Sequence, residues 1–262
     1  MLSEQQLARF DADGAVTFDT PLTDAQLADL REALDRLFPP ADADTVRRQP
    51  RCARTADFLE PALVDLMQMP VFEAVAAQVL RAPDVVLNNC ALAKTYPTPD
   101  APFTFEQHTD VQYVLADLQA RPRHIVCGFF IWLDDVNDRR APLMIRPGSH
   151  RQIAAWRQQQ RVADADNPAV RGTLLDDLPP LDYAPPQPVI ARAGQATVLT
   201  TAVIHGPSVN VDTRPRYTCH LSLKPKGFDV PHSNPDKDHA RRRFIEQLRP
   251  HLRPNRQHLA TT

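Results

Sequence analysis

Strand-forming segments occupy most of the chain between residues 84 and 225. They are rich in β-branched and aromatic residues, and clusters of Pro, Gly, Asn and Asp separate them. Seven such segments need two packed sheets or a closed barrel to bury their apolar faces. The sequence therefore predicts a mainly β fold with flanking helices. The segments are DVVLNNCALAKTY, FTFEQHTDVQYVL, HIVCGFFIWLDDV, PLMIRP, PVIARAG, QATVLTTAVIH and RYTCHLSLKP.

Helical signals are found at the two ends of the chain. Residues 1–80 are mostly helical in pattern, because Ser3 precedes EQQLARF and Thr23 precedes DAQLADLREALDRLF as capping residues. GAVTF predicts a short strand between these helices, and residues 61–80 predict a further helix after the basic connection VRRQPRCART. The charged tail, residues 226–262, predicts a short helix. One helical stripe is formed by Leu27, Leu30, Leu34 and Leu37.

Composition narrows the class of partner. The chain has 262 residues, of which 43% are hydrophobic and 24% charged, as in an ordinary globular protein. Its 30 basic and 32 acidic residues give a formal net charge of -2, which offers no electrostatic case for binding nucleic acid or a membrane surface. We therefore expect a small-molecule partner. The oligomeric state does not follow from the sequence.

The start of the chain and its cysteines predict a cytoplasmic protein. The segment MLSEQQLARF lacks the regions of a signal peptide, and the longest apolar run, Ile125 to Leu133, is too short to cross a bilayer. Four cysteines are scattered without a Cys-x-x-Cys pair, so we expect reduced thiols and neither a zinc site nor a disulfide framework.

A histidine and an aspartate stand two places apart in FEQHTD. In a β-strand such residues project from the same face, so His108 and Asp110 would point into one space. Together they supply two of the three groups of the two-histidine, one-carboxylate triad that holds non-haem Fe(II) with open coordination positions. The pair alone is weak evidence, because such pairs also occur at polar strand ends.

A second histidine and an arginine follow downstream in TTAVIHGPSVNVDTRPRYTCHLSLKP. His205 ends an apolar strand, and Arg216 lies eleven residues later at the start of the next strand. A guanidinium group donates two parallel hydrogen bonds to a carboxylate and keeps its charge at physiological pH. The residues thus suggest a metal site of His108, Asp110 and His205 beside a carboxylate-binding Arg216.

The chain resembles the phytanoyl-CoA dioxygenase-like Fe(II)/2-oxoglutarate oxygenases. The resemblance rests on HTD, then FFIWLDDVNDRRAPLMIRPGSHR, then ARAGQATVLTTAVIHGPSVNVDTRPR, in that order over roughly residues 85 to 225. It implies a double-stranded β-helix, the cupin-like jelly roll, over residues 84–225, with the metal site at the open end of the barrel. The Pro-rich stretch 178–188 lies between strands that both supply ligands, so we predict one domain over residues 1–262.

Family roles carry over to matching positions. The resemblance implies Fe(II) on His108, Asp110 and His205, and 2-oxoglutarate with its distal carboxylate on Arg216. It also suggests that Asn210 supports the turn before that arginine. Two alternatives for Arg216 stay open. Either Arg214 takes the carboxylate, or Arg216 forms a structural salt bridge with a carboxylate such as Asp212.

Other candidates extend the site. Asn89 and Lys94, on the strand before the triad, either reach the co-substrate or face solvent. The aromatic residues Phe105 and Tyr113 either line a substrate pocket or belong to the core. Four arginines lie in eight residues of the basic connection, and Arg51 or Arg54 would contact an anionic or zwitterionic substrate, with Arg54 alternatively helping to hold 2-oxoglutarate. The alternative is that the basic connection is a solvated cationic loop without a role in binding.

The expected activity is that of an Fe(II)/2-oxoglutarate-dependent dioxygenase. It would use O2 to hydroxylate an unactivated carbon of a small metabolite and release succinate and CO2. Two other classes remain open: a cupin-type isomerase or lyase that does not use O2, and a catalytically silent binding domain.

Overall fold

Two antiparallel sheets form the centre of the protein. The computed structural model describes residues 1–40, 42, 46, 49–160, 171–230 and 235–261. Within these residues a six-stranded sheet has the order β1-β9-β5-β11-β3-β2, and a five-stranded sheet has the order β7-β4-β10-β6-β8. We call them the major and the minor sheet. The strands are β1 Ala15–Asp19, β2 Arg51–Thr55, β3 Val85–Thr95, β4 His108–Val111, β5 Cys127–Trp132, β6 Leu143–Arg146, β7 Arg171–Leu174, β8 Gln187–Val189, β9 Gln195–Thr200, β10 Ile204–Pro207 and β11 Arg216–Pro225.

Helices flank the sheets, chiefly near the two ends of the chain. The α-helices are α1 Glu4–Asp13, α2 Asp24–Leu37, α3 Pro61–Met67, α4 Pro70–Leu80, α5 Leu115–Gln119, α6 Ser149–Gln159 and α7 Pro235–Leu248, with short 3-10 turns at Leu175–Asp177, Arg249–His251 and Pro254–Ala260. The mainly β architecture with flanking helices is confirmed.

The first two helices begin where the sequence predicts. The Ser3 side chain accepts a hydrogen bond from the Gln6 backbone, and Thr23 does the same for Gln26, so each helix has a reciprocal capping box. The apolar stripe of α2 is turned inward, with Leu27, Leu30 and Leu34 buried. Capping and periodicity therefore set these helices locally.

The two faces of the major sheet meet different neighbours. One face packs on the helices and supports the larger apolar core, to which Phe129, Ile131 and Leu92 belong. The opposite face looks toward the minor sheet, where Trp132 and Phe130 pack with residues such as Leu143. We call these the outer and the inner face. Because side chains alternate along a strand, each residue's position decides whether it reaches the space between the sheets.

Several local expectations were wrong. The stretch 61–80 forms two helices, because Pro70 occupies the first position of α4 and begins a new helix. Part of the basic connection forms edge strand β2, which pairs with β3. In FTFEQHTDVQYVL only His108–Val111 is a strand, and helix α6 and strand β7 were not predicted.

The stretch Pro61–Leu80 also has the length and composition of a membrane span, with a mean hydropathy of 1.4. In the folded chain its side chains belong to the core. Phe72, Val75 and Val79 are among those buried, and α4 packs on β3, β5 and β11. The stretch thus has the character of a core helix pair.

Lys94 corrects one prediction about the site. It lies on the outer face of β3, where its Nζ contacts Asp35 Oδ1 of α2 at 2.6 Å. Its ammonium group also lies 5.1 Å from the ring centre of Tyr217, whose hydroxyl donates to the same Asp35 oxygen. Lys94 therefore fastens α2 to the sheet and faces away from the space between the sheets, which removes it from the co-substrate candidates.

Replacing Asp35 with Ala should destabilise the fold without altering the metal site. The substitution leaves the buried Lys94 ammonium and the Tyr217 hydroxyl without their acceptor, which costs about 2–3 kcal/mol of unfolding free energy. Urea denaturation measures this loss. The matched control is Asp29→Ala on the same helix, an exposed site where we expect a change within about 0.5 kcal/mol. Equal stability of the two variants would contradict this role.

Candidate metal centre

Adjacent strands of the minor sheet bring the three predicted metal ligands together. His108 on β4 is paired directly with His205 on β10, and Asp110 follows two residues along β4. One ligand atom of each residue lies within 4.8 Å of the other two. The Asp110 carboxylate is 3.4 Å from His108 Nε2 and 3.7 Å from His205 Nε2. All three donors therefore converge on one point.

Backbone contacts orient the ligands. His205 Nδ1 lies 2.9 Å from the Val203 carbonyl oxygen, which favours the proton on Nδ1 and leaves Nε2 free to bind a metal. Burial lowers the pKa of His205 below its ordinary value, against the opposing effect of Asp110, so the imidazole is neutral at physiological pH. The Asp110 backbone N–H donates to the Thr201 carbonyl, which fixes β4 beside the turn before β10.

Asp110 is held in its charged form. Burial raises the pKa of its carboxyl group, but the hydrogen bond from His108 and the neighbouring His205 outweigh burial, so the pKa lies below its usual value. Two imidazoles and one carboxylate are the donor set that suits Fe(II) and leaves three positions open. The residues present therefore fit that metal.

Gly206 allows the two ligand strands to approach each other. A Cβ atom at this position would lie 1.7 Å from the Glu106 carbonyl oxygen on the segment leading into β4. Real atoms do not approach so closely, so any side chain here forces the segments apart. The sequence shows a glycine directly after the candidate ligand His205, but the need for a glycine there becomes clear only from the strand pairing.

Arg216 is buried on the inner face of the major sheet. Its Nη2 donates to Thr95 Oγ1 at 3.0 Å, and its guanidinium carbon lies 5.6 Å from the ring centre of Trp132. Among the described residues no carboxylate lies within ion-pair distance of it, and its Nε lacks a hydrogen-bond partner. Burial and the positive charge of Arg51 lower the pKa of Arg216 to about 9, against the effect of Asp134, so it remains charged at neutral pH.

The alternatives for Arg216 do not match the geometry. Arg214 is exposed and lies 4.0 Å from Asp212. The Asp212 carboxylate is also 3.8 Å from Arg140 Nε. Asp212 therefore contacts other arginines and does not form a salt bridge with Arg216. The Asn210 amide group donates to the carbonyl oxygens of Thr95 and Arg214, which ties the loop before β11 to β3. Asn210 thus has the turn-supporting position that the sequence suggests.

The chain's family follows from a comparison with known sequences. The profile of the phytanoyl-CoA dioxygenase (PhyH) family matches residues 10–218, which include the three metal candidates and Arg216. The chain belongs to the phytanoyl-CoA dioxygenase family. No curated protein matches the chain in sequence.

Solved structures show the same fold at low identity. HygX from Streptomyces hygroscopicus, with nickel and 2-oxoglutarate bound, is 16% identical with a TM-score of 0.61, over 88% of this chain and 90% of HygX. EctD from S. alaskensis, with 2-oxoglutarate and 5-hydroxyectoine, is 20% identical with a TM-score of 0.59, over 87% of this chain and 78% of EctD. The carbocyclase SnoK from nogalamycin biosynthesis is 16% identical with a TM-score of 0.58, over 86% and 84%. The chain spans half the length of EvdMO1, which it matches with a TM-score of 0.59 at 20% identity over 85% of its own length.

In this member of the PhyH family, unsatisfied polar groups mark the inner face of the major sheet. Among the described residues, buried side-chain atoms there without a hydrogen-bond partner are Arg216 Nε, Thr218 Oγ1, His220 Nε2 and Asn89 Oδ1. Buried polar atoms are rarely left unpaired in a native protein, so these atoms are candidates for contact with a polar ligand or with water. Asn89 was among the co-substrate candidates predicted from the sequence. Thr218 and His220 were not, although they lie two and four residues after Arg216 on β11 and therefore share its face.

One aromatic residue beside the metal candidates was also missed. The Phe130 ring lies 6.3 Å from His205 and 4.2 Å from His220, measured between ring centres, and both contacts are edge-on. The run FFIW alternates between faces, so Phe130 and Trp132 lie together on the inner face. Phe129 faces the helices instead.

Four predicted substrate residues reach different places. Arg51 lies in the same cross-strand row as Arg216, on the inner face. Arg54 lies on the outer face, where its Nε donates to the Asp57 carboxylate. Tyr113 is buried, and its hydroxyl accepts from the Val126 N–H at 3.1 Å. Phe105 is 36% exposed and its ring contacts Phe103 rather than the metal candidates. Arg54 and Tyr113 therefore have structural contacts, whereas Arg51 stays a candidate. Arg47 and Arg48 lie outside the described residues.

Replacing Gly206 with Ala should break the metal centre. The added methyl group pushes the segment before β4 away from β10, so the variant should lose iron binding and about 3 kcal/mol of stability. Iron content after anaerobic reconstitution and urea denaturation measure the two effects. Gly128→Ala is the control, because a Cβ atom there meets only Leu199 Cδ1 at 3.9 Å. Full iron content in Gly206→Ala would contradict the close approach.

Proposed function

We propose that this protein is an Fe(II)/2-oxoglutarate-dependent dioxygenase that hydroxylates a small metabolite. The proposal rests on two observations: Arg216 is buried on the inner face of the major sheet without a carboxylate partner among the described residues, and three candidate metal ligands converge on the minor sheet. PhyH membership supports the cofactor assignment. Two solved structures of the same fold, HygX and EctD, hold 2-oxoglutarate, which supports the same assignment by similarity of fold.

His108, Asp110 and His205 would hold Fe(II), and Arg216 would hold the distal carboxylate of 2-oxoglutarate. When bound, iron and 2-oxoglutarate supply an oxidant from O2 that is strong enough to attack an unactivated C–H bond, with release of CO2 and succinate. The protein's task is then to bind, orient and exclude water. The Arg216 fork fixes one end of the co-substrate, while Phe130 and Trp132 form an apolar wall on β5.

Thr218 suits the role of a second contact to the co-substrate. It lies two residues beyond Arg216 on the same face, and its buried hydroxyl has no partner among the described residues. A hydroxyl beside a guanidinium group adds one more hydrogen bond to the same carboxylate. This arrangement explains why two polar residues are kept beside the Trp132 ring inside an otherwise apolar layer.

Hydroxylation is the simplest outcome of such a site, but the reaction type depends on how the substrate is placed. A solved relative of the same fold is described as a carbocyclase, and another as an epimerase. Ring closure and epimerisation are therefore alternative outcomes at this site. An isomerase or lyase that does not use O2 has no need for a buried Arg216, and a silent binding domain has no need for a complete ligand set.

Replacing Asp110 with Ala should remove one charged ligand and abolish turnover. The Asp110 side chain is half-exposed to solvent, so the fold should remain intact. Iron content and succinate release in the presence of a substrate measure the effect, with circular dichroism as the check on folding. A variant that kept near-normal iron and succinate release would show that the metal lies elsewhere.

Replacing Arg216 with Ala should raise the 2-oxoglutarate requirement while iron binding persists. Truncating one partner of a buried charge-assisted pair costs about 2–5 kcal/mol, which corresponds to roughly a 30-fold or greater rise in the required concentration. An anaerobic absorption titration of the Fe(II) protein with 2-oxoglutarate measures it. Arg214→Ala is the matched control, since this arginine is exposed. The opposite ranking of the two variants would transfer the role to Arg214.

A further inference from the structure

On strands β2 and β3 of the major sheet, several side chains of the inner face are exposed to solvent. On β2 the inner-face residues Arg51, Ala53 and Thr55 are exposed, whereas Cys52 on the outer face is buried. On β3 the inner-face Ala91 is half-buried although its outer-face neighbours are fully buried. A two-sheet protein normally buries the faces that look at each other. The space between the sheets is therefore open over β2 and β3.

Small side chains form the floor of this open space. Ala53 and Ala93 are paired across β2 and β3, and Ala91 lies in the next inner-face position of β3. In the same rows β11 contributes Thr218 and His220, and β5 contributes the large rings of Trp132 and Phe130. We call the space over the three alanines the alanine compartment. It lies beside the Phe130 ring, which in turn borders the ligand His205.

Arg51 borders the alanine compartment, because it lies two residues before Ala53 on the same face of β2. It forms one cross-strand row with Thr95 and Arg216. No carboxylate among the described residues lies within ion-pair distance of Arg51, and Glu106 is the acidic group that acts on it over a longer distance. The same strand carries a matched contrast, because Arg54 on the outer face already contacts Asp57 at 3.0 Å. Arg51 is thus the arginine of β2 that is available to a ligand.

Arg51 and Arg216 place two positive charges in one cross-strand row, which favours the binding of two anionic groups. The charge of Arg51 acts on that of Arg216, and like charges two strands apart in one row repel in a partly desolvated space. One carboxylate on Arg216, that of 2-oxoglutarate, leaves Arg51 uncompensated. A second anionic group at Arg51 would offset this repulsion, and its oxygens would accept hydrogen bonds from the Arg51 guanidinium group.

We infer that the alanine compartment binds the substrate, and that the substrate is a small metabolite whose carboxylate or phosphonate group is held by Arg51. The inference rests on the proposed function, since it takes Arg216 as the site of the co-substrate carboxylate. His220 Nε2 and Asn89 Oδ1, both without a partner among the described residues, supply neutral hydrogen-bonding groups within the compartment.

Binding to the loaded protein tests this assignment without turnover. The protein carrying Fe(II) and 2-oxoglutarate under nitrogen is titrated with amino acids, short aliphatic carboxylates and alkyl phosphonates, each carboxylate paired with its own carboxamide. The readouts are the shift in melting temperature and the change in the absorption band of the Fe(II)–2-oxoglutarate complex. We expect at least one anion to shift both readouts and its neutral counterpart to shift neither.

Variants separate the anion site from the co-substrate site. Arg51→Gln should weaken binding of the selected anion at least 10-fold and leave the 2-oxoglutarate titration unchanged, since one charge-assisted contact is worth about 1.5–3 kcal/mol. Arg54→Gln, three residues along the same strand, should leave both titrations unchanged. Ala91→Leu should block the anion by filling the compartment while iron and 2-oxoglutarate still bind.

Three results would overturn the inference. Carboxamides that bind as well as their carboxylates would remove the charge requirement. A loss of 2-oxoglutarate binding in Arg51→Gln, with the other ligand unaffected, would move Arg51 into the co-substrate site. A loaded wild-type protein that none of the anions shifts would leave the compartment without the proposed ligand. Failure of the proposed function is distinguishable, because the wild-type protein would then form no Fe(II)–2-oxoglutarate band before any anion is added.

Discussion

The site depends on the register between β4 and β10. His108 and His205 meet only because these residues pair directly, and the pairing requires the segment before β4 to pass over Gly206 without a side chain between them. Asp110 completes the set through strand alternation, which needs no further contact. A shift of one residue in this register would turn both β4 ligands to the opposite face of the sheet. The candidate metal centre therefore depends on one short strand pair.

The second constraint is the cost of keeping Arg216 charged inside the fold. Burying a guanidinium group without a carboxylate partner is unfavourable, and the structure offsets only part of this cost with Thr95 and the Trp132 ring. A ligand carboxylate supplies what is missing. Arg51 lies in the same cross-strand row but is exposed, so its proposed affinity for an anion rests on its lack of a carboxylate partner among the described residues and not on burial. The protein fold and the proposed chemistry are consistent in this respect.

Local patterns predicted some of this architecture and missed the rest for identifiable reasons. Capping residues and a leucine stripe were enough for α1 and α2, and two-residue spacing was enough to put His108 and Asp110 on one face. The face on which Lys94 and Arg54 lie depends on which side of β2 and β3 is covered by α2, and that is decided by tertiary packing. Strand β2 was missed because an edge strand with three polar residues in five has little apolar pattern. The roles of Gly206, Phe130 and His220 appear only when strands distant in sequence are paired.

The most direct test of the account is an anaerobic titration of the unaltered protein with Fe(II) and then 2-oxoglutarate, followed by admission of O2. The account predicts one iron per chain, a saturable absorption band on addition of 2-oxoglutarate, and succinate formation that matches O2 consumption once a substrate is present. Iron binding that leaves the spectrum indifferent to 2-oxoglutarate, or turnover of a substrate without O2 uptake, would contradict it.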